Sequence, residues 1–270
     1  MDNRPIGVFD SGAGGLTAVR QLQALMPQET IVYFGDTGRV PYGTRSPHTI
    51  RQYAEQDIRF LLSQNVKCIL AACGTVSSTL PKEYTQQLPV PYVGVVGAAC
   101  AAAAAVTKNG RIGVIATPAS IRSQSYERRI HALLPQAEIY PKSCPMFVPL
   151  VENGYVGPGD PITTAIAKQY LEPIRQLGVD TLILGCTHYP LIAHIIGQVM
   201  GPQVTLIDAG QEAARKTQQL LTQQGLLADA PQGSTHYYVS DSAESFDAAV
   251  KLFVGPHSTG KATQIAIENY

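Results

Sequence analysis

The sequence has no excess of charge of either sign. Its 20 Lys and Arg balance 20 Asp and Glu, and charged residues make up only 15% of the 270. A general binder of nucleic acid or membrane surface usually carries a basic bias, so neither partner is expected. Long apolar runs are missing as well. No stretch reaches the roughly 18 uninterrupted apolar residues of a membrane span. The longest bland run, Val93 to Val106, is alanine-rich and is closed by Lys108. The N-terminus, MDNRPIGVFD, has no apolar signal core, which makes the cytoplasm the expected location. No histidine or cysteine cluster has zinc spacing, and neither a Walker-type loop nor a lysine-centred cofactor motif stands out. The expected chemistry therefore uses no metal and no cofactor. Five cysteines, at 68, 73, 100, 144 and 186, are an odd number in a chain this long. In a reducing compartment they are expected to be free thiols, either buried or reactive.

What is present is an alternation. Short apolar runs read as buried parallel strands: Ile6–Phe9, Ile31–Phe34, Cys68–Ala72, Tyr92–Val96, Ile112–Ala116, Leu182–Leu184 and Val204–Ile207. Helical patterns lie between most of them, at Leu16–Met26, Thr49–Gln64, Ile121–Leu134, Ile162–Leu177 and Gln211–Gln224. Strands alternating with helices indicate an α/β protein with parallel sheets. At 45% apolar content the chain can bury a core, and its length exceeds the roughly 100–200 residues of one domain.

A weak internal repeat runs through these elements. Ile6-Gly-Val-Phe-Asp-Ser-Gly is echoed by Ile112-Gly-Val-Ile-Ala-Thr-Pro, and Val66-Lys-Cys-Ile-Leu-Ala-Ala-Cys73 by Val179-Asp-Thr-Leu-Ile-Leu-Gly-Cys186. In both copies of the second motif an apolar strand ends on a cysteine seven positions after a valine. Two similar α/β domains are therefore expected, 1–97 completed by the C-terminal segment 208–270, and 98–207. The tail carries a candidate strand, His236–Ser240, and a helix around Ser242–Leu252.

Cys68 lies inside a strand, Cys100 in an alanine-rich helix and Cys144 beside Pro145, so all three read as packing residues. Cys73 and Cys186 differ. Each ends an apolar run and is followed at once by polar residues. Ligands of open α/β sheets bind beyond the carboxyl ends of strands, where these two thiols belong. Taken singly, each could be a buried core thiol. As a pair on two facing halves, they suit a reaction run from both sides of one carbon. Racemisation needs one group to remove the α-proton while another delivers a proton from the opposite face. A thiol, with an ordinary pKa of roughly 8.5, reaches both protonation states near neutral pH. His188, two residues past Cys186, and Asp10, at the end of the first strand, are the candidate proton partners.

Asp10-Ser-Gly-Ala-Gly-Gly15 is a glycine-rich turn between strand and helix. Gly12 and Gly14 fit the first two positions of a dinucleotide fingerprint, and Asp36 stands about where a ribose-binding acid would. This motivates a rival reading, a nicotinamide-dinucleotide oxidoreductase. The third glycine position is Thr17, however, and the turn reads better as a carboxylate-binding loop. After the second strand, Asp36-Thr-Gly-Arg-Val-Pro-Tyr-Gly43 forms a polar turn in which Tyr42 and Gly43 could grip a small anion.

Together these segments resemble the glutamate racemases of the aspartate/glutamate racemase superfamily, enzymes that supply D-glutamate for peptidoglycan. The resemblance runs from Ile6-Gly-Val-Phe-Asp-Ser-Gly through Tyr33-Phe-Gly-Asp, Val40-Pro-Tyr-Gly, Ala72-Cys, Gly113-Val-Ile-Ala-Thr and Leu150-Val-Glu to Gly185-Cys-Thr-His-Tyr-Pro190. It implies a pair of similar α/β domains with the site in the cleft between them, a homodimer, and interconversion of L- and D-glutamate without cofactor. By position it implies that Cys73 exchanges the proton of the D-enantiomer and Cys186 that of the L-enantiomer. Asp10 and His188 would assist them, while Asp36 and Glu152 tune the site. Substrate contacts would come from Asp10, Ser11, Tyr42, Gly43, Gly74, Thr75, Thr117, Thr187 and His188. One position departs from the pattern. The family usually has Asn after the first cysteine, where this chain has Gly74. Loss of a charge-assisted hydrogen bond costs about 1.5–3 kcal/mol, so weaker glutamate binding or another small acidic amino acid is the alternative. Ser120 replaces a common threonine but keeps its hydroxyl.

Overall fold

The computed structural model describes residues 1–255, 258 and 261–270. Two parallel sheets carry the architecture. The first contains β1 (Ile6–Asp10), β2 (Ile31–Gly35), β3 (Cys68–Ala71) and β4 (Tyr92–Gly94), with β9 (Thr235–Val239) and β10 (Ala262–Gln264) from the C-terminal segment. The second contains β5 (Arg111–Ala116), β6 (Glu138–Ser143), β7 (Thr181–Leu184) and β8 (Thr205–Asp208). Strand order is β10-β9-β2-β1-β3-β4 in one sheet and β6-β5-β7-β8 in the other.

The sequence repeat therefore reappears as topology, since β2-β1-β3-β4 and β6-β5-β7-β8 follow the same order. It also reappears as register: Ile6 pairs with Cys68, and Ile112 pairs with Thr181. Cys68 and Thr181 each stand two residues after the valine that opens its copy of the repeat. The two cysteine strands are thus matched residue for residue.

Helices cover both sheets. They are α1 (Leu16–Leu25), α2 (Pro47–Ser63), α3 (Gly74–Thr79), α4 (Lys82–Gln86), α5 (Val95–Val106), α6 (Pro118–Arg122), α7 (Ser125–Leu133), α8 (Phe147–Glu152), α9 (Pro161–Gln176), α10 (Ala193–Met200), α11 (Ala209–Gln223) and α12 (Ala243–Phe253). Caps set several of their starts. Ser46 accepts from the Thr49 N–H, Asp160 from Thr163 and Thr117 from Ser120, and in each case proline occupies the first turn. Proline's fixed φ suits that position, which is why α2 begins at Pro47 rather than at the expected Thr49.

Several elements differ from the sequence expectation. The strand expected over Tyr92–Val96 stops at Gly94, because the Val96 N–H donates to Ser77 Oγ at 3.1 Å and enters α5 instead. The helix expected over Ile121–Leu134 is two helices, broken at Gln124, whose φ of 53° is left-handed. Strand β6 was not anticipated. None of its residues is buried and it contains Pro141, so it lacks the apolar signature of an interior strand.

The core continues across both sheets: Val8, Leu70 and Val96 belong to the same packed cluster as Val114, Ile183 and Ile195. All five cysteines are free and buried. No helix among the described residues is long and apolar enough to cross a membrane.

Candidate active site

The carboxyl ends of β1 and β3 from one sheet, and of β5 and β7 from the other, border a single cavity of about 360 Å³. Every candidate named from the sequence except Asp36 lines it. Hollows of about 640 Å³ beside Tyr92 and about 780 Å³ beside Glu29 are larger, but neither contains a thiol. Among the described residues, no group of three or more His, Cys, Asp or Glu side chains could hold a metal ion.

Cys73 caps the N-terminus of α3, at the switch from strand to helix. Its Sγ lies 3.5 Å from Ser11 Oγ. Burial pushes this thiol up to about 12, and the nearby Asp10 charge adds to the rise, while the Ser11 contact opposes it. Asp10 is itself raised by burial, against the opposing pull of His188 and of backbone N–H groups. One of its oxygens accepts from the Gly12 N–H at 3.1 Å, and the other is buried with no hydrogen-bond partner among the described residues. A buried carboxyl with a spare oxygen at a cavity wall can exchange a proton or receive a cationic group.

The Cys186 side is built differently. His188 Nδ1 stands 3.9 Å from the Cys186 sulfur, and its Nε2 stands 3.0 Å from Glu152 Oε1. Burial alone would lower the imidazole. Contacts with Cys186 and Glu152, together with the Asp10 charge, outweigh it and carry His188 to about 10. The ring is thus a cation at neutral pH. Phe253 of α12 packs against it in a T-shaped arrangement, with ring centroids 5.4 Å apart. No local sequence signal points to that contact, because α12 is distant in the chain and its pattern is simply amphipathic.

Hydroxyl groups share the remaining wall with Val40, Pro41, Pro118, Pro145, Val148 and Pro149. Thr75 and Thr117 approach to 3.0 Å, and Thr117 is also 3.0 Å from Ser120, so α3 and α6 are joined by a chain of hydroxyls. Thr187 lies 3.3 Å from His188 Nδ1. The rival dinucleotide reading fails on space at the glycine turn. A Cβ on Gly14 would stand 2.2 Å from Thr187 Oγ1, and Thr17 Oγ1 donates to the Thr187 carbonyl at 3.1 Å. The start of α1 is thus covered by the Cys186 loop at Gly14 and Thr17. Ser11, Gly12 and Ala13 still face the cavity.

Tyr42 lines the cavity too, but its hydroxyl is committed elsewhere. It donates to Asp36 and lies 3.3 Å from Asp57 Oδ2. Asp36, fully buried, also accepts from Arg39 Nε at 2.6 Å and Ser240 Oγ at 2.7 Å. It stands behind the cavity wall, where it anchors the 36–43 loop and touches no cavity-facing thiol. Arg39 completes the cluster with a 3.1 Å contact to Asp57, whose carboxyl is held well above the usual range by burial and by Asp36. Sequence reasoning missed Asp57. The signal was there: with Ile50, Ala54 and Leu61 it shares the buried face of α2, and an acid on such a stripe needs a partner.

The comparisons agree with this geometry. A sequence model described as Asp/Glu/Hydantoin racemase matches residues 17–217. A glutamate racemase of Geobacter metallireducens is 41% identical over 269 residues, covering 99% of this chain and 98% of its own. Among solved structures, the glutamate racemase isoform RacE1 of Bacillus anthracis superposes with a TM-score of 0.93 at 32% identity, covering 98% of each chain. The glutamate racemase of Francisella tularensis in complex with D-glutamate gives 0.91 at 37% identity, covering 100% of each. The chain belongs to the Asp/Glu/hydantoin racemase family, among its glutamate racemases.

Proposed function

We propose that the chain interconverts L- and D-glutamate by proton transfer between Cys73 and Cys186, one thiol on each face of the α-carbon. The observation that carries this reading is that the two cysteines end matched strands of different sheets and line one cavity. In the L-to-D direction the Cys186 thiolate takes the α-proton, and the electrons of the broken C–H bond spread into the substrate carboxylate. The Cys73 thiol then gives its proton to the opposite face and becomes the thiolate. The D-to-L direction reverses every step.

Each flank supplies what its thiol needs. His188 stands beside Cys186 and can carry its proton, with Glu152 as the outer partner. Burial and Asp10 keep Cys73 protonated, as the donor must be. Thr75, Thr117, Thr187 and Ser11 offer hydroxyls to a small, doubly carboxylated substrate. The resemblance further implies a D-glutamate supply for peptidoglycan, a cytoplasmic location and a homodimer, the last read by light scattering on the eluted protein.

The test is racemisation of L-glutamate by pure protein without added cofactor, beside L-aspartate and other small acidic amino acids. Loss of optical rotation from glutamate is expected. A chain that turns over L-aspartate but not glutamate would move the substrate to the alternative raised by Gly74.

A further inference from the structure

Gly74 directly follows Cys73, and Gly185 directly precedes Cys186. Their backbones meet. A Cβ on Gly74 would stand 2.4 Å from the Gly185 carbonyl oxygen, a distance at which something must move, and the obstacle is backbone rather than a flexible tip. Gly74 is not among the glycines with positive φ, so space alone calls for glycine here.

Neither side is free to step back. The Gly185 N–H donates to the Ile115 carbonyl at 2.8 Å, and its carbonyl accepts from the Tyr126 hydroxyl at 3.3 Å. A Cβ on Gly185 itself would stand 2.6 Å from that hydroxyl and 2.8 Å from the Ile115 oxygen. On the other side, the Gly74 carbonyl accepts from Ser78 Oγ at 2.6 Å.

We infer that Gly74 is a positioning residue: with Gly185 it forms a side-chain-free seam that sets how far apart Cys73 and Cys186 stand. The inference rests on the two-thiol reading. The asparagine usual in the family begins with the Cβ that this seam has no room for. With glycine at 74 the two strand ends stand closer than a side chain there would allow, so its presence is more than the deletion of one substrate contact. Putting the asparagine back wedges the ends of β3 and β7 apart. Relieving a 2.4 Å approach to the 3.4 Å of ordinary contact displaces the cysteines by about 1 Å. A misplacement of about 1 Å between reacting groups can cost roughly 10²-fold in rate.

The experiment compares Gly74→Ala and Gly74→Asn with the parent and with Gly197→Ala, whose added Cβ meets only Leu206 at an ordinary 3.7 Å. The readouts are kcat and KM in both directions, thermal melting, and the rate at which a bifunctional thiol reagent, fluorescent only when both arms react, bridges Cys73 and Cys186. Both Gly74 variants are expected to lose about 10²-fold in kcat, with KM changed less than about fivefold, and to bridge more slowly. Gly197→Ala should match the parent in all three. If either Gly74 variant keeps kcat within about twofold and bridges at the parent rate, the seam does not set the gap. If neither folds, Tyr126→Phe decides, because it adds no volume and only releases the Gly185 carbonyl. A severalfold fall in kcat with slower bridging supports the seam, and parent-like values overturn it. A parent that bridges but does not racemise glutamate sinks the racemase reading alone, and the bridging rates still judge the seam.

Discussion

His188 reaches Glu152 through Nε2 at 3.0 Å and Cys186 through Nδ1 at 3.9 Å, so one imidazole links a cavity thiol to a carboxylate that is half open to solvent. The opposite thiol has no such link. Cys73 faces Ser11 and a buried carboxyl. The site is symmetric in its strands and asymmetric in its proton partners.

That asymmetry predicts a pH effect. His188 stands at about 10 in the folded chain against 6.5 unperturbed. A raised histidine stabilises the folded state fully below its unfolded pKa, and the contribution disappears as pH rises through the folded one. Stability of the parent relative to His188→Asn should therefore decline between about 6.5 and about 10. Activity should fall along an alkaline limb over the upper part of that window. Glu152→Gln removes one group that holds His188 up, so its limb should move to lower pH in a kcat profile. An unmoved or upward limb would contradict the link.

Asp10 raises the neighbouring thiol by like charge, after burial. Asp10→Asn should therefore make Cys73 more acidic and its alkylation by iodoacetamide faster at fixed pH, as read by peptide mapping. Turnover should nevertheless fall, by about 10²–10⁴-fold if Asp10 manages the Cys73 proton. Slower alkylation would place the carboxyl's influence elsewhere.

Arg39 stands between two buried carboxyl groups, those of Asp36 and Asp57. Arg39→Met keeps much of the volume but removes the cation, and breaking such a buried group costs about 3–5 kcal/mol. Urea unfolding should show a loss of that order. A loss below about 1 kcal/mol would mean that the Tyr42 and Ser240 hydroxyls hold the cluster together without the cation.

Much of this was legible in the sequence, and for a physical reason. Interior strands such as β1, β3, β5 and β7 are buried on both faces, so each reads as an unbroken apolar run, and the run ends where Asp10, Cys73, Thr117 and Cys186 enter the cavity. The repeat gave the matched register of β1 with β3 and β5 with β7. Edge strands β6 and β10 bury too little to leave such a mark. The site's outer contacts were hidden for another reason. Which way the Tyr42 hydroxyl points, and that Phe253 meets His188, depend on segments distant in sequence. The touch of Gly74 on Gly185 is a property of two backbones, and no side-chain pattern records it.

The most direct test of the two-thiol account follows glutamate in deuterated water with the parent, Cys73→Ala and Cys186→Ala. The parent should invert each enantiomer and place solvent deuterium on the α-carbon of the product. Each alanine variant should lose inversion in both directions by at least about 10²–10⁴-fold, since each lacks one of the two groups the reaction needs. If either variant still inverts glutamate within about tenfold of the parent, the second thiol is not part of the chemistry.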